Sequence, residues 1–157
     1  MELSRRARQF QTLLIEKGFD FRVRELPDST RSADEAAAAL GCHRAQIVKS
    51  LIFHDTRTDA AVLVLASGDN RVDEAVLAAH VGGPIEKADA AFVKETTGFS
   101  IGGVPPLGHR EIPAVWVDAG LLQHAILWAA AGTPRAVFRI DRPITEILAA
   151  HRVIELR

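Results

Sequence analysis

Lys49 sits in an otherwise apolar run, Gln46-Ile47-Val48-Lys49-Ser50-Leu51-Ile52-Phe53, and about fifty residues later the chain turns through Gly102-Gly103-Val104-Pro105-Pro106. A single cation on a half-buried strand can orient a phosphate or a carbonyl-bearing group. Paired glycines let backbone come close to a ligand, and the two prolines stiffen the loop that carries them. Backbone N–H groups held in that way can stabilise a developing oxyanion. Together the two segments suggest a site for a small anionic or carbonyl-bearing ligand.

Each feature also has a plainer reading. Strand alternation puts Ile47, Lys49 and Leu51 on one face and Val48, Ser50 and Ile52 on the other. A lysine there can be an edge or snorkelling residue. The Gly102–Gly103 loop can be an ordinary surface turn. The stretch Asp69-Asn70-Arg71-Val72-Asp73 opens a helix, either as a simple cap or as an anion site to which Arg71 adds charge.

Other chemistries find little support. The six histidines form neither an HxH nor an HExxH pattern, and Cys42 is the only cysteine, so a cysteine-rich zinc site is ruled out. Cys42 stands beside His43, but adjacent residues rarely face each other as a nucleophile and its base must, and the thiol reads as structural. There is no GxSxG elbow, Walker loop or GxGxxG turn. Neither metal nor cofactor is expected.

The elements that must position these residues follow from pattern. Residues 3–17 read as a helix with Phe10, Leu13 and Leu14 on one face, and residues 21–26 as a strand closed by Pro27, Asp28, Ser29 and Thr30. Ser32 and Glu35 form a capping box for an Ala-rich helix ending near Gly41. Residues 46–53 and 60–66 form a strand pair across a polar connection. A helix is expected over 71–81, with Val72, Ala75, Val76 and Ala79 facing inward. A short strand at 85–87 and a helix from Asp89 to about Thr97 come next. Residues 114–118 and 135–140 are strands, 121–124 a short turn or strand, and 125–131 is ambiguous between helix and strand. Pro143 at a helix N1 position starts a last helix over 144–151. Strands among short helices, without regular βαβ alternation, give an α/β (α+β) single domain over residues 1–157: a mixed, curled sheet with helices around it.

Composition bounds the class. The chain has 157 residues, 48% hydrophobic and 25% charged, with a net charge of -1. That suits one globular domain and gives no global basic field to recruit nucleic acid. Arg5, Arg6 and Arg8 read as a solvated helix face. No apolar run is long enough to cross a bilayer, and a soluble, cytoplasmic protein without membrane contact is expected.

The markers taken together resemble the YbaK/ProX aminoacyl-tRNA editing domains. They are Glu35-Ala36-Ala37, Leu40-Gly41, Gln46 through Leu51, Gly68 through Asp73, Thr97-Gly98, Gly102 through Gly108, and Val117-Asp118. The resemblance spans residues 30–141. It implies the editing-domain fold and hydrolysis of mischarged aminoacyl-tRNA, usually tRNA-Pro carrying a wrong small amino acid, by a free-standing trans-editing factor. The family's essential lysine maps onto Lys49, and its GxxxP loop onto Gly102 through Pro106. By the same resemblance Gly102 and Gly103 would hold the oxyanion. Ser50, Asn70, Arg71, Val104, Pro106 and Asp118 would contact substrate, and water or the terminal ribose hydroxyl would attack the ester. The implied partner is the acceptor end of aminoacyl-tRNA, with an aminoacyl-tRNA synthetase or an elongation factor as a further one. In the branch that deacylates Cys-tRNA a tyrosine follows the first strand and an acidic residue lies in the late strand. Leu26 and Val137 stand there, so alanine, serine, threonine and cysteine all stay open. A non-catalytic tRNA- or synthetase-binding member of the family is the competing expectation.

Overall fold

A computed structural model describes residues 2–28, 32–111 and 113–156. Ser29 and Thr30, expected to close the first strand, lie outside the described residues. Helix α1 (Arg5–Glu16) leads to β1 (Val23–Glu25), α2 (Ala33–Leu40), β2 (Ile47–Asp55) and β3 (Ala60–Ser67). Then come α3 (Glu74–Val81), β4 (Ile85–Lys87), α4 (Ala90–Thr97), β5 (Ala114–Asp118), β6 (Leu127–Ala130), β7 (Ala136–Ile140) and β8 (Arg152–Ile154).

The eight strands make one mixed sheet in the order β1-β7-β6-β2-β3-β5-β8, with β4 added to β2. The β2–β6, β3–β5 and β5–β8 pairs are parallel and the others antiparallel. Helices cover both faces. On one, α1 seats Phe10 and Leu14 in the cluster that holds Val48, Ile52, Leu63, Leu65 and Phe138, and α4 adds Val93. On the other, α3 contributes Leu77 to Phe53, Val62, Val64 and Trp116, while α2 packs Ala36 and Ala37 on Ile47. The alternation of β2 is therefore as the sequence predicts: even positions meet α1 and odd positions meet α2 and α3.

Caps set the helix limits. Ser32 Oγ accepts from the Glu35 N–H at 3.1 Å, and Gly41 closes α2 in the left-handed region. The third helix starts at Glu74 rather than 71, because the Asp73 carboxylate takes the Ala75 and Val76 N–H groups. Its inward residue is Leu77, flanked by half-buried Val72 and Val76, while Ala75 and Ala79 are exposed. The ambiguous stretch 125–131 becomes strand β6, and the turn after β5 is 3-10, Ala119–Gln123.

The last expected helix is a correction. Only one 3-10 turn forms, Ile144–Glu146, and Arg152–Ile154 then pairs in parallel with Trp116 through Asp118. Pro143 has an extended ψ of 130° and stands before the turn. One turn is enough to bury Ile144 and Ile147, and the β-branched pair Val153-Ile154 goes to the sheet edge.

Candidate active site

The site is organised by an interruption in the sheet. One edge of β2 is fully paired, from Val48 opposite Ser67 to Asp55 opposite Ala60 on β3. The other edge is shared by two short strands. Strand β6 pairs Ile47 and Val48, β4 pairs Phe53 to Asp55, and the Ala88 N–H reaches Ile52 O at 3.2 Å. Positions 49 to 51 lie between them without a strand partner. Because Ile52 O points to this edge, alternation points the Ser50 N–H and C=O there as well.

Lys49 projects from this gap on the α2/α3 face. Its Nζ donates to the Asn70 carbonyl at 2.5 Å. That carbonyl is held by the turn after β3, which Asp118 fixes: one carboxylate oxygen accepts from Ser67 N–H at 2.9 Å and Asn70 Nδ2 at 2.8 Å, the other from Gly120 N–H at 2.8 Å. Asp118 is 2% exposed, and three accepted bonds offset the cost of burying it. Desolvation lowers the Lys49 pKa from the ordinary lysine value; Asp118 pulls it back up, while Arg44 and Arg71 push it down.

The opposing wall is the Gly/Pro loop. Helix α4 ends at Gly98, and Thr97 Oγ1 accepts from the Phe99 N–H while donating to Val93 O at 2.7 Å. The adjacent glycines then do different work. Gly102 has φ 91°, a left-handed conformation that suits glycine, and its N–H has no acceptor among the described residues. Gly103 donates to Ser100 O at 2.9 Å and accepts from Gly132 N–H at 3.0 Å, and a Cβ on it would stand 2.8 Å from the Thr133 Cα. Gly103 is thus a close-packing glycine whose amide is already engaged. The loop's far side is tied by His109, whose Nε2 lies 2.7 Å from Pro105 O and whose pKa burial lowers.

Between strand and loop lies a cleft of two lobes, about 550 Å³ and 420 Å³. Lys49, Ser50, Leu51, Ile101, Gly102 and Val104 line both, so they form the shared wall. The first lobe adds Ile52, Phe53, Val72, Val93 and the charged residues Arg71, Glu74 and Lys87. The second adds Trp128, Ala129, Ala130, Val137 and Arg44. The Ser50 hydroxyl is buried without a partner among the described residues.

Of the residues expected from sequence, Lys49, Ser50, Gly102 and Val104 meet on the shared wall and Arg71 lines the first lobe. Asn70 and Asp118 stand behind Lys49 and hold it. Two expectations change. Gly103 turns its amide to Ser100 and its α-carbon to Thr133, away from the cleft. Pro106 is buried in a separate depression with Phe19, Leu107 and His109. Trp128 and Val93 were not anticipated. Trp128 lies in the stretch whose apolar run has no period, and Val93 reads as a plain helix-core residue. The half-buried Cys42 lines neither lobe, and burial raises its thiol pKa. Among the described residues no group of three His, Cys, Asp or Glu side chains could hold a metal ion, and no helix is long and apolar enough to cross a membrane.

A sequence model of the aminoacyl-tRNA editing domain matches residues 27–144, the segment that carries Lys49, the Asp118 brace and the glycine loop. The chain belongs to the aminoacyl-tRNA editing domain family. Among solved structures, it is similar to a crystal structure described as that of a candidate trans-editing enzyme for prolyl tRNA synthetase. The TM-score is 0.90 and the identity 45%, over 99% of both chains. The editing domain is also 29% identical over 118 residues to the uncharacterized protein YwhH of Bacillus subtilis (strain 168), covering 75% of this chain and 74% of that one. A proline–tRNA ligase of Brachyspira hyodysenteriae matches at 36% identity over 72 residues, 45% of this chain but 12% of the ligase. The mixed α/β architecture is that of the editing-domain structural neighbours.

Proposed function

We propose that this editing domain acts in trans as a deacylase, hydrolysing the ester that joins a wrong amino acid to tRNA. The observation that carries this reading is the shared wall. Lys49, Ser50 and the unengaged Gly102 N–H meet between two unlike lobes, which is where the reacting bond of a two-part substrate would lie. An aminoacyl ester is already activated, so a positioned oxygen nucleophile suffices. Water attacks the carbonyl carbon; attack by the neighbouring ribose hydroxyl of the terminal nucleotide moves the acyl group to that oxygen and leaves an ester that water then cleaves in the same way. The resulting oxyanion is met by the Gly102 N–H and the Lys49 ammonium. Collapse breaks the acyl C–O bond, the ribose oxygen leaves with a proton, and with water as nucleophile the products are the free amino acid and intact tRNA. Asn70 and Asp118 do not touch substrate in this scheme; they aim Lys49. Val104 on the shared wall and Arg71 in the first lobe bound the chamber, and selection of the acyl group is by size and shape.

The test is deacylation of tRNA-Pro and its cognate alternatives charged with alanine, serine, threonine or cysteine, by the wild-type chain and by Lys49→Met. Hydrolysis of at least one ester by wild type, lost in the variant while its melting transition is kept, is the expected result. Binding of charged tRNA without hydrolysis of any of the four would replace the enzyme with a non-catalytic binding domain.

A further inference from the structure

Backbone direction along β2 alternates from residue to residue. Odd positions turn their N–H and C=O toward β3, as the Gly68 N–H on Ile47 O shows at 2.8 Å, so Val48, Ser50 and Ile52 turn theirs to the outer edge. Val48 is paired there with Ala129 of β6, and Ile52 O accepts the Ala88 N–H beside β4 at 3.2 Å. Ser50, between them, has no hydrogen-bond partner among the described residues for its outward N–H and C=O, nor for its hydroxyl. Strands close both flanks of this gap, and Ile101, Gly102 and Val104 wall the cleft beside it. The edge therefore offers one bridge position, with one donor and one acceptor, and is too short for a peptide strand.

We propose that the aminoacyl unit of the substrate takes this position as a one-residue antiparallel bridge: its α-amino group donates to Ser50 C=O and its ester carbonyl accepts from Ser50 N–H. The proposal rests on the deacylase reading and adds to it the group that recognises the α-amine and a second backbone donor for the oxyanion. In a hydrogen-bonded antiparallel pair two residues exchange both of their bonds. An amino acid ester carries the matching set on one residue, a nitrogen donor and a carbonyl acceptor, and needs no strand on either side. The bond from Ser50 N–H strengthens as the carbonyl oxygen gains charge, alongside those from Gly102 N–H and Lys49. The bridge also fixes where the reacting carbonyl sits, at the wall common to the two lobes, because Ser50 lines both.

The charges around the cleft favour a carbonyl over a carboxylate as the acceptor for that amine. The shared wall carries Lys49 and no acidic residue. In the second lobe Asp34 is paired with Arg44. In the first, Glu74 is exposed and stands with Arg71 and Lys87. Arg44 and Arg71 already push the Lys49 pKa down. The same field moves an α-amine, ordinarily titrating at about 7.7–8.0, toward its neutral form. A neutral amine still donates to a backbone carbonyl, whereas a carboxylate acceptor would gain most from the charged form.

The experiment compares esters by single-turnover hydrolysis of chemically acylated tRNA-Pro. Alanyl and seryl esters are set against propionyl and 3-hydroxypropionyl esters, which lack only the α-amine, and each rate is divided by that of uncatalysed hydrolysis. The deamino esters should remain at least about tenfold slower after that division. Equal corrected rates would overturn the bridge and leave the deacylase standing. A binding arm needs no turnover and so stands apart from the deacylation assay. It uses alanylamido- and propionylamido-adenosine, whose 3′ amide link resists hydrolysis. The first should bind at least about tenfold more tightly, and the Ser50 amide proton should move downfield as it binds. Equal affinity, or a Ser50 amide that does not shift, overturns the bridge. Ser50→Pro removes the N–H on an edge where no ladder bond is lost and should slow alanyl-tRNA hydrolysis on the order of 100-fold. Ser50→Ala keeps the N–H and should retain at least about tenfold more activity than the proline variant; equal loss in the two would overturn the N–H contact. If proline lowers the melting transition, the ester and binding comparisons on the wild-type chain decide. Glu74→Gln should keep the preference for the α-amine, and losing it would move the amine to that carboxylate and overturn the bridge.

Discussion

Strands β2 and β3 run side by side through eight paired positions, yet they are built for opposite ends. Every residue of β3 from Ala61 to Ser67 is buried, both of its edges are paired, and its two faces feed two different core clusters. Its sequence, an unbroken apolar run, is that of a strand covered on both sides. Strand β2 is one residue longer, and its outer edge is shared by β6 and β4, so positions 49 to 51 are only half-buried and face a gap. The difference teaches how the domain holds a half-open edge still: one side of β2 borders the cleft, and the other side is fastened through eight paired positions to a strand buried from Ala61 to Ser67. A site on a fastened strand is more exact than one on a loop.

The largest effect that would sharpen this contrast is on turnover. Lys49→Met should lower kcat/KM for the edited ester by about 100-fold or more, with no loss of folding stability. The sign of the pH effect follows from the lowered lysine pKa. Below that folded value both states hold the proton and the desolvation cost is complete. As pH rises from it toward the ordinary 10.5, the folded state sheds its proton first, so stability contributed by this site rises. Melting curves over that alkaline range should show the rise in wild type and lose it in Lys49→Met.

Breaking the other strand should do the reverse. Leu63→Ala, at a position with no exposure, should cost about 3 kcal/mol of stability in denaturant titrations, while kcat of the folded fraction stays near wild type. A large fall in kcat would mean that β3 does more than hold β2.

The two glycines give a finer version of the same test. Gly103→Ala drives a methyl against the Thr133 backbone and should cost about 1–3 kcal/mol, seen chiefly as a lowered Tm. Gly102→Ala meets left-handed strain of about 1–2 kcal/mol and, because Gly102 lines both lobes, should lower single-turnover deacylation more than Gly103→Ala does. The opposite ranking would move the oxyanion contact to Gly103.

The smallest effect concerns acid. Burial keeps His109 neutral beside Pro105, so its folded pKa lies below the unfolded value. Above about 6.5 neither state takes the proton. As pH falls below that, the unfolded state binds it first and stability is lost. His109→Gln should keep a donor for Pro105 and flatten the Tm decline between about pH 6.5 and 5.

Much of the fold could be read from the sequence because local rules agreed with tertiary ones. The Ser32–Glu35 cap, the left-handed stop at Gly41 and the alternation about Lys49 are set within a few residues. The tail was misread because Ile144, Ile147 and Leu148 have helical spacing, whereas the partner that draws Arg152–Ile154 into the sheet, β5, is far along the chain. The site divides the same way. Lys49 is conspicuous as a charge in an apolar run, and Gly102 as part of a Gly-Gly pair. Which of the two amides is engaged depends on Ser100 and Gly132, and no property of a Gly-Gly pair reveals that. Trp128 joins the site only because β6 lands beside Ile47, a pairing between positions about eighty residues apart.

That last pairing has a consequence for the order of events during folding. The β2–β3 hairpin closes locally and early, whereas β6 must cross a long stretch of chain to reach β2, a contact whose loop-closure entropy makes it late. Until it arrives the second lobe lacks one wall and the strip between the lobes has nothing to divide. A chain that has formed its hairpin but not this parallel pair holds Lys49 and still has no chamber. On the proposed editing function, a complete chamber is therefore expected only once this late pair has formed.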